Sequence, residues 1–242
     1  MKRMQWKILA TAFALVLAIG PASVVFGQDV LVWGTGNADG STQGVADYVM
    51  ASGYFNSVTA SDNSFETLAT LTGYDSVLYF SNTNADSDPV AIGDVLADYA
   101  DTGRRLVIAT FSWANQGGNT LAGRIIDEEI SPFIVGGISL YTNVIMDSND
   151  GHAIFANVDA ISGYFHDDVT LSTGAEQHAT WSDGEPLAAD KGNVVAINLF
   201  PDDFWGNVDG DYQALFANSL RPDVVATEAA SWGQVKAAYR TR

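Results

Sequence analysis

The side chains able to do chemistry fall into three sets, and the first is small. His152, His166 and His178 are all the histidines, and no two have the short spacing that lets one element offer a zinc pair. His166-Asp167-Asp168 sets carboxylates beside an imidazole, which would raise its basicity. Adjacent residues on a strand point to opposite faces, however, which weakens that pairing. The second set is acidic and amide: Asn82, Asn84, Asp86 and Asp88, then Asp202, Asp203, Asn207, Asp209 and Asp211. Oxygen-rich loops are what calcium requires, and Asn207-Val208-Asp209-Gly210-Asp211 has the alternate spacing that lets side chains converge on an ion. The bidentate glutamate of an EF-hand loop is missing, and the same residues would serve equally as helix caps and solvated surface. Calcium at Asp202, Asp203, Asn207, Asp209 and Asp211 is the one cofactor the sequence suggests. The third set is aromatic: Trp33, Trp113 and Trp205 are expected at or just after strand ends, where rings stack on sugars or pack into a core.

Composition narrows what such residues can serve. The 242 residues suffice for one α/β domain with a sizeable core, and 47% hydrophobic content with Gly, Asp and Asn punctuation is that of a globular chain. With 29 acidic against 11 basic residues and a net charge of −18, binding nucleic acid through its phosphates is disfavoured. No cysteine is present, which excludes disulfides, thiolate metal sites and a cysteine nucleophile.

The amino-terminal residues carry an export signature. Lys2, Arg3 and Lys7 precede an apolar run from Ile8 to Ile19, followed by Gly20-Pro21 and small residues. That is the order of a secretory signal peptide, and the run is short for a membrane span. Cleavage is expected after Gly27, with Ala22 as the rival site. The expected organisation is a signal peptide at 1–27, an α/β domain at 28–221, and a linker with a short tail at 222–242. The secreted protein would then have no membrane span. In the tail, Trp232, Val235 and Tyr239 could share one helical face that docks on a partner.

The elements that would position the site alternate regularly at first. Asp29–Trp33, Asn56–Ser61, Ser76–Phe80 and the run from Arg105 read as strands. Between them lie a helix from Ser41 or Thr42 to about Ala51, a short helix capped by Ser64, and a helix opened by Pro89. The last should bury Val90, Ile92, Val95, Leu96 and Tyr99. Arg105-Leu106-Val107-Ile108-Ala109-Thr110-Phe111-Ser112-Trp113 suits a strand buried on both faces. Sites in such sheets lie beyond the carboxyl ends of the strands, which places Thr110 to Asn115 where chemistry is expected. Further on, Leu121–Glu129 reads as helical and Ser139–Met146 as extended. Turns at Gly174, Asp183-Gly184 and Lys191-Gly192 suggest hairpins, Asn193–Phe200 a good strand, and Asp209 or Asp211 the cap of a final helix. The fold expected is a three-layer, doubly wound, mostly parallel sheet with late antiparallel strands.

Four local phrases in this order resemble the class I glutamine amidotransferase-like fold, a flavodoxin-type arrangement. They are Tyr74-Asp75-Ser76-Val77-Leu78-Tyr79; Leu96-Ala97-Asp98-Tyr99 leading to Gly103-Arg104-Arg105-Leu106-Val107; His152-Ala153-Ile154-Phe155; and Trp181-Ser182-Asp183-Gly184 followed by Gly192–Asn198. Catalytic members place a cysteine in a glycine-flanked elbow after the central strand and a His-Pro-Glu at a late strand end. The resemblance puts Ser112, flanked by Thr110 and Ala114, near the elbow, and Phe200-Pro201-Asp202 in the place of His-Pro-Glu. A phenyl ring accepts no proton, so amidotransferase chemistry is not expected. The reading is of an exported, non-catalytic binding or interaction module. Its cleft would draw on Trp33, Asn82, Ser112, Trp113, Phe200 and Trp205, and its partner would be a small molecule, a glycan or an envelope protein. The alternatives are a serine hydrolase using Ser112 with Asp202 and a distant histidine, and a calcium-stabilised envelope or extracellular structural protein.

Overall fold

The computed structural model describes residues 28–36, 40–82, 88–115 and 120–222. The expected signal peptide, the carboxyl-terminal tail motif, Asn84 and Asp86 lie outside the described residues.

Four strands are buried on both faces because helices cover both sides of the sheet. In β1 (Gln28–Thr35), Val30 and Val32 face one core while Leu31 and Trp33 face the other. The same alternation runs through β3 (Ser76–Ser81), β4 (Arg105–Ala109) and β9 (Val194–Ile197). Helices α1 (Ser41–Ala51) and α5 (Tyr212–Ser219) pack on the first face through Val45, Val49, Leu215 and Phe216. On the second face lie α2 (Leu68–Leu71), α3 (Pro89–Asp101) and the single turn α4 (Arg124–Asp127), through Leu71, Ile92, Leu96 and Ile125. Among the described residues no helix is long and apolar enough to cross a membrane.

Caps set several of these boundaries. Asp88 accepts a hydrogen bond from the Ala91 N–H at 3.0 Å, with Pro89 in the first turn of α3. Thr67, not Ser64, caps α2, its Oγ1 accepting from the Thr70 N–H at 3.2 Å. Asp211 stands at the start of α5 without capping it, because its carboxylate accepts from the Asp159 and Ala160 N–H groups at 2.8 and 3.1 Å. Val90, expected on the buried face of α3, is 51% exposed, since it lies in the first turn beyond the stripe that meets the sheet.

The sheet has ten strands in the order β10-β6-β5-β7-β8-β9-β4-β3-β1-β2. The remaining members are β2 (Phe55–Ser61), β5 (Phe133–Asn149), β6 (Ile161–Leu171), β7 (Glu176–Trp181), β8 (Pro186–Lys191) and β10 (Val208–Gly210). From β2 to β9 every pairing is parallel, and from β9 to β10 every pairing is antiparallel. The expectation of a mostly parallel sheet with late antiparallel strands holds in part: the sheet is mixed, parallel from β2 to β9, and its antiparallel share is larger than expected. The longest strand, β5, begins six residues before the stretch that reads as extended. The reason is Gly136-Gly137, which looks like loop punctuation but marks a close approach. A Cβ on Gly137 would lie 2.4 Å from Asp168 Oδ2, and one on Gly136 2.5 Å from Asp168 Oδ1.

Candidate functional site

Three strand ends converge at the carboxyl edge of the parallel half. β3 hands over to Asn82, β4 to the turn Thr110–Trp113, and β9 to Phe200. The Phe111 N–H donates to the Ser81 carbonyl at 3.1 Å, tying the turn after β4 to β3, and the Phe200 N–H donates at 3.3 Å to the Phe165 carbonyl on β6. The side chains stack into an aromatic floor. Ring centroids are 5.4 Å apart for Phe111 and Phe200, 5.5 Å for Phe111 and Phe165, and 5.6 Å for Phe80 and Phe200. Tyr141, from β5, stands over Phe165 at 5.6 Å in an edge-on contact. The cleft so formed has a volume of about 200 Å³ and is lined by Asn82, Phe111, Tyr141, Phe165, Phe200 and Trp205. Phe111 and Phe200 are buried and Phe165 half-buried, but the rim is open: Tyr141 is 47% exposed and Trp205 60%.

A buried polar network fixes the floor from beneath. Asn198 Oδ1 accepts from Thr110 Oγ1 at 3.0 Å and from the Asp167 N–H at 2.7 Å, while its Nδ2 donates to the Asp167 and Pro186 carbonyls. Asp167 accepts from Ser139 Oγ at 2.9 Å and from the Trp113 N–H at 3.2 Å. Burial pushes its carboxyl up to about 7, because desolvation of the ion outweighs those two hydrogen bonds. His166, its neighbour on β6, points the other way and meets Asp183 Oδ2 at 2.8 Å, as strand alternation requires.

The structure divides the sequence-derived cleft residues in two. Asn82, Phe200 and Trp205 line the cleft. Trp33, Ser112 and Trp113 are fully buried in packing roles. Trp33 donates from Nε1 to the Asn63 carbonyl at 2.8 Å, and Trp113 to Ser131 Oγ at 3.0 Å. Ser112 Oγ donates to the Ala109 carbonyl at 2.5 Å, so the hydroxyl closes its own turn and Phe111 is the residue that faces the cleft. Asp202 is buried against α1, where a Cβ on Gly44 would lie 3.2 Å from its Oδ1. Tyr141 and Phe165 escape sequence reasoning, since only their pairing across β5 and β6 brings them to the strand ends; Phe111 falls inside the flagged stretch 110–115 but carries no reactive group to single it out.

The oxygen-rich loop is dispersed. Asp209 accepts from the Gly210 N–H within its own turn at 2.8 Å, and Asp211 is engaged with residues 159 and 160. Asp203 is exposed, and Asn207 is buried beside a separate cavity of about 470 Å³ that it shares with Asn143, Ser162, Ser182 and Asp209. Among the described residues no three of these carboxylates come within 4.8 Å of one another.

No protein-family model matches the chain, and no curated protein matches it. Solved structures do. A protein of Bacteroides uniformis described as ThuA-like superposes with a TM-score of 0.59 at 15% identity, covering 87% of this chain and 97% of that one. The chain has the fold of that ThuA-like protein. A cytoplasmic protein from Salmonella typhimurium LT2 gives a TM-score of 0.55 at 14% identity, over 79% of this chain and 98% of that one. A glutamine amidotransferase from Thermotoga maritima aligns more loosely, with a TM-score of 0.45 at 10% identity over 72% and 76% of the two chains. The amidotransferase-like expectation is met at the level of a mixed α/β sheet with helices on its faces.

Proposed function

We propose that this chain is an exported, non-catalytic binding module of amidotransferase-like fold whose aromatic cleft holds a neutral sugar ring or a ligand of similar shape. The observation that carries the reading is the cleft's make-up: a floor of buried Phe111 and Phe200 with half-buried Phe165, under an exposed rim of Tyr141 and Trp205. Exposed indole and phenol faces bind the C–H faces of sugars, and a rim already clear of the core costs little to desolvate. A net charge of −18 disfavours anionic ligands in general. Against hydrolysis stands the commitment of Ser112 Oγ to the Ala109 carbonyl, with a phenyl ring at residue 200 in the place where the resembled enzymes carry their base. Export rests on the order of Lys2, Arg3 and Lys7, the apolar run and the small residues that follow.

Calorimetric titration of the purified protein with a panel of neutral oligosaccharides tests the reading, alongside Trp205→Ala. At least one ligand should bind, with a Kd weakened tenfold or more by the substitution. Binding that is indifferent to Trp205→Ala would overturn the assignment of the cleft, and clear glutaminase or esterase turnover would overturn the non-catalytic reading.

A further inference from the structure

At the opposite end of the sheet from the aromatic cleft, two histidines and an aspartate meet. His152 opens the 3-10 turn Ala153–Phe155 after β5; His178 lies on β7; Asp190 lies on β8, across from Val195 near the amino end of β9. The imidazole rings stack with centroids 4.0 Å apart and planes inclined by 13°. Both Nε2 atoms turn toward the same carboxylate: His178 Nε2 is 3.3 Å from Asp190 Oδ1, and His152 Nε2 is 3.8 Å from Asp190 Oδ2. His152 Nε2 has no hydrogen-bond partner although its side chain is only 6% exposed, and His178 Nε2, on a side chain 4% exposed, meets only the Asp190 carboxylate at ion-pair distance. Unpaired buried nitrogens of this kind are costly, and native interiors rarely keep them without a purpose.

We propose that His152, His178 and Asp190 form a binding site for a first-row divalent transition metal, with zinc as its natural occupant. The donor set of two imidazoles and one carboxylate suits zinc and excludes calcium and magnesium, which want an all-oxygen shell. The spacing suits it as well. Tetrahedral zinc with bonds of about 2.0–2.1 Å holds its ligand atoms roughly 3.3 Å apart. The Asp190 carboxylate lies 3.3 Å from His178 Nε2 through Oδ1 and 3.8 Å from His152 Nε2 through Oδ2, and one ligand atom from each of the three residues falls within 4.8 Å of the others, close enough to contract onto one ion.

The surroundings supply the outer support such a ligand uses. Asp150 Oδ2 sits 2.9 Å from His178 Nδ1, which places the ring proton on Nδ1 and leaves the Nε2 lone pair for the metal. His152 needs a small adjustment: its Nδ1 accepts a marginal bond from the Ile154 N–H at 3.4 Å, which ligation through Nε2 would give up. Arg105 is the nearby cation, but its Nε is held by the Ser219 carbonyl at 2.7 Å. Two carboxylates, those of Asp150 and Asp190, face the imidazoles here, and a dication would displace the proton that they favour on His178. Asp150 and His178 also line a surface cavity of about 250 Å³, so the cluster lies next to solvent on that side. The site joins the β5–β6 connection to the β7–β8 hairpin, so the metal acts as a pin for the antiparallel half.

The test starts from full-length protein freed of metal by chelator at pH 7.5, titrated calorimetrically with zinc chloride and followed by thermal melting. His178→Ala and Asp190→Asn are run beside it. Wild type should bind one equivalent more zinc than either variant, and a hundredfold excess over Kd should raise its Tm by roughly 5–10 °C. Calcium and magnesium at equal ionic strength should not reproduce the shift. Cobalt(II) should give wild type alone the visible absorption of a four-coordinate nitrogen and oxygen site. Equal zinc stoichiometry in wild type and both variants would overturn the proposal, as would a Tm shift that calcium matches. The cluster would then be a protonated His178 held between Asp150 and Asp190. The wild-type titration stands by itself should either variant fail to fold.

Discussion

Asp167→Asn should change how stability depends on pH in a direction that the buried network fixes. In the folded chain Asp167 keeps its proton up to about 7, whereas in the unfolded chain a carboxyl loses it near 3.9. Between those values the native state binds the extra proton. The group's contribution is therefore fully present below the unfolded value and is lost as pH rises through the folded one. Each pH unit in that window costs about 1.4 kcal/mol. Integrated from pH 5 to pH 8, the loss is on the order of 2–3 kcal/mol, or roughly 5–10 °C in Tm for a domain of this size. Asparagine reproduces the protonated carboxyl: its Oδ1 can accept from the Trp113 N–H and its Nδ2 can donate to Ser139 Oγ, the two groups Asp167 meets now. The assay is urea unfolding followed by circular dichroism at pH 5, 6, 7 and 8 for both proteins, analysed by linear extrapolation. Taking the difference between them cancels the other carboxylates of a very acidic chain. The variant should gain on wild type by that amount as pH rises. Parallel profiles, or a variant that gains toward acid, would refute the account of Asp167 as a carboxyl kept neutral by burial.

Two further outcomes follow from the site and the amino-terminal sequence. Phe200→His should show no glutaminase activity, and Phe200→His combined with Ser112→Cys at most traces, in an ammonia-release assay; robust turnover by either would mean that the buried turn at Ser112 opens more readily than its bond to the Ala109 carbonyl implies. Protein recovered from the periplasm or culture fluid of an expressing bacterium should begin at Gln28 by intact mass, and an intact Met1 would contradict export with cleavage.

The parallel half was open to sequence reasoning because strands buried on both faces announce themselves as unbroken apolar runs. Val77-Leu78-Tyr79-Phe80 and Leu106-Val107-Ile108-Ala109 are of that kind, and Gly103 and Pro89 mark the joins. The antiparallel half was partly hidden. In β5 the residues alternate irregularly between exposed and buried, with register shifts between Val135 and Ser139 and between Tyr141 and Val144, so no clean period of two survives. That irregularity also concealed the site. Trp205 is legible as an aromatic near a strand end and Phe200 through the resemblance, but Tyr141 and Phe165 are placed by the pairing of β5 with β6, which local sequence does not record. Trp33 and Trp113 misled for the converse reason: a strand-end indole with a carbonyl or hydroxyl in reach packs inward as readily as outward. The histidine cluster was invisible because its three members come from separate elements whose spacing in sequence has no metal-site signature.

The claim that the aromatic cleft is the ligand site is tested most directly by nuclear magnetic resonance of the tryptophan indole N–H groups during titration with a neutral oligosaccharide that binds in calorimetry. Trp205 lies on the open rim, whereas the Trp33 and Trp113 indoles are buried and bonded to the Asn63 carbonyl and to Ser131 Oγ. The account predicts that the Trp205 signal, identified by its loss in Trp205→Phe, shifts in saturable fashion with the calorimetric Kd while the Trp33 and Trp113 signals stay in place. A saturable shift at Trp33 or Trp113 with Trp205 unmoved would put the ligand elsewhere and contradict it.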